Sequence, residues 1–202
     1  MSDAFEVLAP EIGTARLSLR QLSLDDAPAI HAYASDPDVA RFTLWPAHPD
    51  EDFTRKFLAN LTHPTVLSWA IVWRESAEVV GMVFFHSLHR RHGRAELAFN
   101  LARRFWKRGI ATEAATAVLD FAFRLVELNR VEATCMSDNL GSRRVLEKLG
   151  MTHEGVMRQS HRRHDGFHDM DLFSLLRDEH RTRTNPGDGN PPRTSNKERN
   201  PR

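Results

Sequence analysis

The segment RRFWKRGIATEAA, residues 103–115, places basic side chains and one glycine where a strand should give way to a helix. The first amides of a helix have no internal hydrogen-bond partners, and the helix dipole favours negative charge at that end. Gly109 lets the backbone approach a ligand closely, while Lys107 and Arg108 add positive charge. The turn therefore predicts a cradle for a phosphate or pyrophosphate, with a solvated basic helix cap as the alternative.

Two common phosphate-binding motifs are missing from the sequence. It contains neither the GxxxxGK[ST] spacing of a Walker loop nor the GxGxxG spacing of a dinucleotide fingerprint. These absences disfavour kinase-type and nicotinamide-dependent enzymes.

A second group of polar residues follows in NLGSRRVLEKLGM, which begins at Asn139. Asn139 is a favourable N-cap for the predicted helix, and Ser142 stands at its third position. Residues three apart on a helix share one face, so the amide and the hydroxyl lie together at its N-terminus. A hydroxyl placed there can donate a proton to an anion that forms at the same spot.

The elements that must position these residues follow from hydrophobic periodicity. The predicted order is a strand (ARLSLRQL), two helices, three strands, a helix over 112–127, a strand, a helix and two strands. The first two of the three strands, SWAIVWRE and EVVGMVFFHSL, form a hairpin. The last two, HEGVMRQS and HDMDLFSLLRDE, flank a loop rich in histidine and arginine. This order predicts an α/β fold of the α+β type with one central sheet.

The chain end differs in composition from the rest. Residues 181–202 hold six Lys/Arg and two Asp/Glu, a charge of +4, so the net charge of +1 leaves −3 for residues 1–180. With almost no large apolar residues, 181–202 are predicted to be a disordered basic tail behind a single domain, 1–180. The charge of the domain makes nucleic acid an improbable partner, except weakly through the tail.

Several other classes of protein are disfavoured. No apolar run approaches the roughly 20 residues of a membrane span, and the first residues lack the pattern of a secretory signal. Cys135 is the single cysteine, which excludes an intrachain disulfide and a cysteine zinc site. The eleven histidines include no helical HExxH motif, so no metal is expected. Cytoplasm is the expected compartment.

The segments WKRGIATEA and NLGSRRVLEKLGM, in this order and spacing, resemble the GNAT superfamily of N-acetyltransferases. The similarity is greatest to the RimJ/RimL group of ribosomal-protein N-terminal acetyltransferases, and it covers roughly residues 14–178. It includes TARLSLRQL, DPDVARFTLWP, VVGMVFFHSL and AELAFNLARRFW. The resemblance implies acetyl-coenzyme A as acetyl donor and a mixed, mostly antiparallel sheet of about six to seven strands flanked by helices.

The resemblance also implies roles for individual residues. The pantetheine arm would make sheet-like hydrogen bonds along the strand that ends at Asn100 and Leu101. Asn139 would hold the thioester region, and Ser142 would protonate the departing thiolate. Many superfamily members use a tyrosine instead, but Tyr33, the one tyrosine here, is far from the motif in sequence. The pyrophosphate would bind the backbone amides of Lys107, Arg108, Gly109, Ile110, Ala111 and Thr112. Trp106 and Lys107 replace the usual loop start and second glycine, which leaves the amides in place.

Amine acetylation needs a base, because an amine with a pKa of about 8 to 10 is mostly protonated at neutral pH. Strand alternation puts Glu96 on the same face as Asn100, which makes Glu96 the first candidate, with an ordinary strand carboxylate as the alternative. His161, His164 and Asp165 are rival bases on a loop that could fold over the pocket. Glu113 is better explained as an acid of the first helical turn.

The acceptor is the least determined part of the prediction. Phe42 and Trp45 either wall the acceptor pocket or only pack. The acceptor is expected to be the N-terminal amine of a protein, with a small-molecule or antibiotic amine as the alternative. A non-catalytic module that binds coenzyme A or RNA is the alternative of another class. A homodimer is left open.

Overall fold

A computed structural model describes residues 9–184. The helices are α1 (Ala27–Ala34), α2 (Pro37–Ala40), α3 (Glu51–Leu61), α4 (Ile110–Arg124), α5 (Leu140–Lys148) and α6 (Arg177–Thr184). The strands are β1 (Ile12–Gly13), β2 (Leu17–Gln21), β3 (Leu67–Trp73), β4 (Glu78–His89), β5 (Arg94–Leu101), β6 (Arg130–Met136), β7 (Thr152–Arg163) and β8 (Gly166–Leu176). The predicted strands and helices are all present in the predicted order, and β1, α2 and α6 are additional elements.

The strands form one sheet in the order β1-β2-β3-β4-β5-β6-β8-β7. Only β5 and β6 are parallel, and the other neighbouring pairs are antiparallel. The expected mixed, mostly antiparallel sheet is confirmed. It has eight strands rather than six to seven because β1 adds a two-residue strand, which is too short to show alternation in the sequence.

Helices cover both faces of the sheet. Phe121 of α4 contacts Trp69 of β3 edge to face, with 5.6 Å between ring centroids, so α4 lies on the Trp69 face. On the opposite face, the Tyr33 hydroxyl of α1 donates to Asn100 Oδ1 at 2.6 Å. Strand β5 therefore turns alternate residues to the two faces, and Glu96 shares the α1 face with Asn100.

The predicted loop between the last two strands is wrong in extent. Strand β7 continues to Arg163 and β8 begins at Gly166, so only His164 and Asp165 form the turn. His161 pairs with His168, and the pairing continues to Arg163 and Gly166. The sequence misleads here because β7 is an edge strand whose end carries polar residues on both faces, which resembles a loop.

The predicted start of the disordered tail is also wrong. Helix α6 runs from Arg177 to Thr184, with acids in its first turn and arginines in its last, which suits the helix dipole. His180 is buried, stacks on Phe123 at 4.9 Å between ring centroids, and places Nε2 2.6 Å from Asp120 Oδ1. Four residues assigned to the tail are therefore helical, and the remainder, 185–202, lies outside the described residues.

Candidate active site

Strands β5 and β6 separate part-way along their length. Their parallel pairing joins Arg94–Glu96 to Arg130–Glu132 and then stops. Beyond it, β5 still pairs with β4 as far as Leu101, and β6 with β8 as far as Met136. A slot thus opens between the two central strands of the sheet, and Glu96 stands where the slot begins.

The backbone of β5 offers hydrogen bonds to this slot. The Ala102 N–H donates to Val80 O of β4 at 2.8 Å. Main-chain groups alternate in direction along an antiparallel strand, so those of Asn100 face β4 and those of Phe99 and Leu101 face the slot. The indole N–H of Trp106 donates to Leu101 O at 2.9 Å. Of the two main-chain groups of Leu101, the N–H is therefore the one that can bind a ligand in the slot. The main-chain groups of Asn100 are thus directed at β4 rather than at the slot, and the cofactor contacts of Asn100 and Leu101 both stay predictions.

The turn that follows β5 presents the predicted cradle of amides. Lys107 and Gly109 both have left-handed backbone conformations, with φ of 59° and 76°, and α4 begins at Ile110. Within residues 9–184, the amides of 107–112 donate no hydrogen bond to a protein acceptor. Left-handed residues before a helix start turn successive N–H groups to one side, which is the geometry of an anion site.

Glu113 and Arg16 hold this cradle in place. Glu113 accepts hydrogen bonds from Thr14 Oγ1 at 2.6 Å and from the backbone and guanidinium of Arg16 at 2.9 and 2.7 Å. Arg16 Nη1 donates in turn to Arg108 O at 3.0 Å. Burial alone would raise the pKa of Glu113, but these hydrogen bonds outweigh it and lower the pKa. Glu113 therefore acts as a structural acid that ties the segment just before β2 to the first turn of α4.

The basic side chains of the cradle differ in direction. The Arg108 guanidinium lies over the rings of Trp73 and Phe105, 5.1 and 5.2 Å from their centroids. Its positive charge is thus engaged with aromatic faces, while Lys107 is exposed. An open cavity of about 550 Å³ continues from the cradle along α4. Its lining consists of Thr14, Gly109, Thr112, Glu113, Thr116, Ala117, Asp120 and Lys148.

The start of α5 has the predicted cap. Asn139 is the N-cap, and its Oδ1 accepts the Ser142 N–H at 3.1 Å. Asn139 Nδ2 donates to Ser142 Oγ at 3.2 Å, so the amide and the hydroxyl are in direct contact. Because α5 follows β6, this pair belongs to the β6 side of the slot, while the 107–112 amides belong to the β5 side.

Glu96 is held from both neighbouring strands. Thr134 Oγ1 of β6 donates to Glu96 Oε1 at 2.8 Å, and His86 Nε2 of β4 lies 3.7 Å from Glu96 Oε2. The Glu96 side chain is 24% exposed, enough for solvent or an acceptor to reach it. Thr134 and His86 give no signal of their own in the sequence, since both come from other strands.

Tyr33 is a residue that the sequence places far away and the fold brings close. It is buried, and its bond to Asn100 sets it beside the β5 face that carries Glu96. Burial, aided by the charge of Asp26, raises the pKa of Tyr33 well above its usual range, so the hydroxyl remains a hydrogen-bond donor. Sequence distance alone gave no warning of this contact.

The rival bases lie at the tip of the β7–β8 hairpin. Asp165 Oδ1 is 2.8 Å from His168 Nε2, a hydrogen bond that lowers the pKa of Asp165. The hairpin is fixed to the α2 end by Arg163, whose guanidinium donates to Arg41 O and, at 3.4 Å, to Ala40 O. Arg163 Nη1 also lies 3.7 Å from Met136 Sδ at the end of β6. His161 shares the face of Arg163 by strand alternation.

The aromatic residues before α3 mainly pack. Trp45 contacts His48 and Phe57 at ring-centroid distances of 4.8 and 5.8 Å, and His48 is buried. Burial, with the nearby charge of His31, lowers the pKa of His48. Phe42 lies under the Arg41 guanidinium at 5.1 Å. Trp45 is thus a packing residue, and Phe42 stays a candidate for the pocket wall.

Residues 9–184 contain no group of three or more His, Cys, Asp or Glu side chains arranged to hold a metal ion. Among the same residues, no helix combines the length and apolar composition needed to cross a membrane.

An anion cradle, an open strand edge and a carboxylate where that edge begins agree with the resemblance of the sequence to the N-acetyltransferases. The chain belongs to the GNAT acetyltransferase family, since residues 16–152 match the model of the acetyltransferase (GNAT) domain. It is an N-acetyltransferase, with relatives of that name over most of its length.

Three comparisons illustrate the kinship. The uncharacterized N-acetyltransferase p20 of Bacillus licheniformis is 31% identical over 171 residues, 83% of this chain and 96% of p20. YdaF of Bacillus subtilis (strain 168), provisionally named a ribosomal N-acetyltransferase, is 34% identical over 99 residues, 49% of this chain and 54% of YdaF. The structure of RimL, a ribosomal-protein alpha-N-acetyltransferase in complex with coenzyme A, has a TM-score of 0.77 at 22% identity and covers 84% of this chain and 99% of RimL. The co-substrate is acetyl-coenzyme A.

Proposed function

We propose that the chain transfers the acetyl group of acetyl-coenzyme A to the N-terminal amine of a protein, at the slot between β5 and β6. The observation that carries the proposal is the position of Glu96, whose carboxylate stands where the pairing of the two strands ends. The donor enters from one side of that point and an amine from the α1 face.

The donor site uses backbone groups first. The amides of 107–112 bind the pyrophosphate, and the exposed Lys107 side chain adds charge. The slot-facing groups of Phe99 and Leu101 bind the pantetheine arm as a missing strand would. The Phe99 N–H, three residues after Glu96, is the hydrogen-bond donor for the carbonyl oxygen that becomes negative during transfer. Asn139 and Ser142 hold the thioester region from the β6 side.

Proton transfers are assigned to two side chains. Glu96 takes the proton of the attacking amine, directly or through one water, while Thr134 fixes its orientation. Ser142 Oγ, in contact with Asn139, gives a proton to the departing thiolate. Among the rival bases, Asp165 is less suited because its carboxylate is engaged with His168, whereas His161 and His164 stay alternatives on the hairpin that Arg163 holds against Arg41 O.

The choice of an α-amine as acceptor rests on the pKa values of amines as well as on the similarity to ribosomal acetyltransferases. An α-amino group has a pKa of about 8 and a lysine or polyamine amine about 10.4, so the neutral α-amine is several hundredfold more abundant at pH 7. A single carboxylate can therefore deprotonate an α-amine more easily than it can deprotonate a lysine or polyamine amine. The partial likeness to YdaF adds support from a relative named for ribosomal acetylation. Cytoplasm and a homodimer remain expectations.

A panel of acceptors tests this proposal. Free-thiol release from acetyl-coenzyme A is measured with peptides that bear a free α-amine and one lysine, with the same peptides blocked at the α-amine, and with spermidine. We expect release only from the unblocked peptides, with mass spectrometry placing the acetyl group on the α-nitrogen. Equal release from blocked peptides or faster release with spermidine would show that the acceptor is a side-chain or small-molecule amine.

A further inference from the structure

A wholly buried carboxylate contacts both flanks of the segment that carries Asn139 and Ser142. Asp171 of β8 is 0% exposed and stands opposite Cys135 of β6 in the strand register. Its oxygens are reached by the Arg143 guanidinium, by Ser137 Oγ at 3.3 Å and by His153 Nε2 at 3.2 Å. Ser137 precedes the Asn139 cap and Arg143 directly follows Ser142.

This arrangement is firmly attached to the sheet. The Ser137 N–H donates to Asp169 O at 3.1 Å, so β8 holds that end of the segment by main chain and side chain alike. A buried charge is costly unless it is paired, and Arg143 supplies the pairing. Removing Arg143 would leave the buried charge of Asp171 without its cationic partner, so Arg143 is held firmly at this carboxylate.

The cluster has no nucleophile of its own. Cys135 is the thiol opposite Asp171, and burial together with the charge of Asp171 raises its pKa to about 12. The thiol therefore remains protonated at neutral pH and cannot serve as a thiolate. The Asp171 carboxylate therefore does not activate Cys135, and its contacts with Ser137 and Arg143 are what it contributes.

We infer that Asp171 is a positioning residue for the transfer reaction: by holding Ser137 and Arg143, it fixes where Asn139 and Ser142 stand relative to the slot. The inference rests on the proposed roles of Asn139 and Ser142. The bonds within the cap keep the pair together, but they do not set its distance from β5. That distance depends on how the 137–143 segment is attached to the sheet, and Asp171 is the side chain that binds it on both flanks.

The pyrophosphate cradle is on the other side of the slot, so loss of Asp171 should affect turnover more than donor binding. A displacement of about 1 Å at a reacting group can cost up to about a hundredfold in rate. For Asp171→Asn we expect kcat to fall about tenfold, with the dissociation constant of coenzyme A changed less than about twofold. Arg143→Lys, which keeps the charge but loses the fork geometry, should give a smaller loss in the same direction.

Glu154→Gln is the matched control. Glu154 also pairs with an arginine and a serine, Arg130 at 2.6 Å and Ser174 at 2.6 Å, and both partners lie outside the 137–143 segment. It should lower thermal stability without changing kcat. If Asp171→Asn behaves in the same way, losing stability while kcat and the donor affinity stay at wild-type values, the inference is overturned.

A double-mutant cycle separates this inference from the proposed function. If Asp171 acts through Ser142, Asp171→Asn in a Ser142→Ala background should cost little further kcat. If the kcat losses of the two single variants multiply fully in the double variant, Asp171 does not act through Ser142. A Ser142→Ala variant with wild-type kcat would reject the role of Ser142 instead, and a wild-type protein without thiol release would reject the function itself. Should Asp171→Asn not fold, Ser137→Ala and Arg143→Lys carry the same cycle.

Discussion

The proposed donor side and the proposed acceptor side of the site are built in different ways. The donor side consists of β5, the 107–112 turn and the start of α5, and offers mainly backbone groups. The acceptor side consists of α1, residues 40–48 and the β7–β8 tip, and depends on side-chain contacts such as Arg163 with Arg41 O, 122 positions apart. Backbone recognition tolerates substitution, whereas long-range side-chain contacts change with each residue. The same donor chemistry can therefore serve different acceptors.

Glu96 is the point at which the two sides meet, and its loss should have the largest effect. Glu96→Gln removes the base without changing size, so we expect kcat to fall by about 10² to 10⁴ at neutral pH. Coenzyme A affinity, measured by calorimetry, should stay unchanged. Glu132→Gln is the control, because Glu132 is the register neighbour of Glu96 on β6 and is paired with Arg130. Wild-type turnover in Glu96→Gln would return His161, His164 and Asp165 to consideration.

Gly109→Asp tests the donor side alone. The variant puts a negative charge and a side chain at a left-handed position inside the cradle, so coenzyme A should bind at least about tenfold more weakly, or about 1.4 kcal/mol. Gly93→Asp is the control, since Gly93 is also left-handed, with φ of 58°, but lies in the β4–β5 turn. Unchanged calorimetric affinity in a folded Gly109→Asp protein would remove the cradle from the donor site.

Ser142→Ala separates chemistry from capping. The Oδ1 of Asn139 caps the Ser142 backbone N–H, so the helix keeps its cap when the hydroxyl is lost. General acids contribute about 10² to 10⁴, but a thiol of pKa near 8.5 leaves fairly well unaided, so we expect a loss of kcat of about tenfold or less. The KM for acetyl-coenzyme A should hardly change. An earlier melting point with full turnover would instead assign Ser142 to structure.

Arg163→Met tests the acceptor side. Loss of the bonds to Ala40 O and Arg41 O should loosen the hairpin and raise the KM for the acceptor by a few-fold, about 1 kcal/mol, while donor affinity holds. The adjacent Arg162→Met, which loses an exposed guanidinium over Phe167, should leave both constants alone. A parallel change in donor and acceptor constants would contradict the separation of the two sides.

Acid stability provides the mildest test. The lowered pKa of Glu113 means that its carboxylate stabilises the fold above its unfolded pKa of about 4.3, and that this stabilisation is lost as pH falls through the folded pKa. Glu113→Gln should melt earlier than wild type at pH 7, and the gap should narrow in acid. Glu127→Gln, an exposed carboxyl just beyond α4, serves for comparison. A constant gap between pH 7 and pH 3 would rule out this origin.

The local structure of the proposed donor side could be predicted from the sequence because it depends on adjacent residues. The 107–112 turn and the Asn139–Ser142 cap each lie within one short segment, and helix-start signals are read from adjacent residues. Sheet order and the approach of Tyr33 to Asn100 depend on which strands pair, which no local pattern states. The same limit explains the errors: the polar edge strand β7 resembled a loop, and α6 is fixed by His180 and its contacts with Asp120 and Phe123.

The unpaired edge of β5 has a consequence for how long the folded protein survives. A ligand that fills a gap in a sheet adds hydrogen bonds that only the native state can make, so it stabilises by mass action: about 2.7 kcal/mol at a hundred times its dissociation constant. The Phe99 and Leu101 amides should exchange with deuterium readily in the free protein and slowly when coenzyme A is bound. If coenzyme A fills this gap as proposed, resistance to proteolysis should rise with the concentration of coenzyme A, and the lifetime of the folded protein should rise with it.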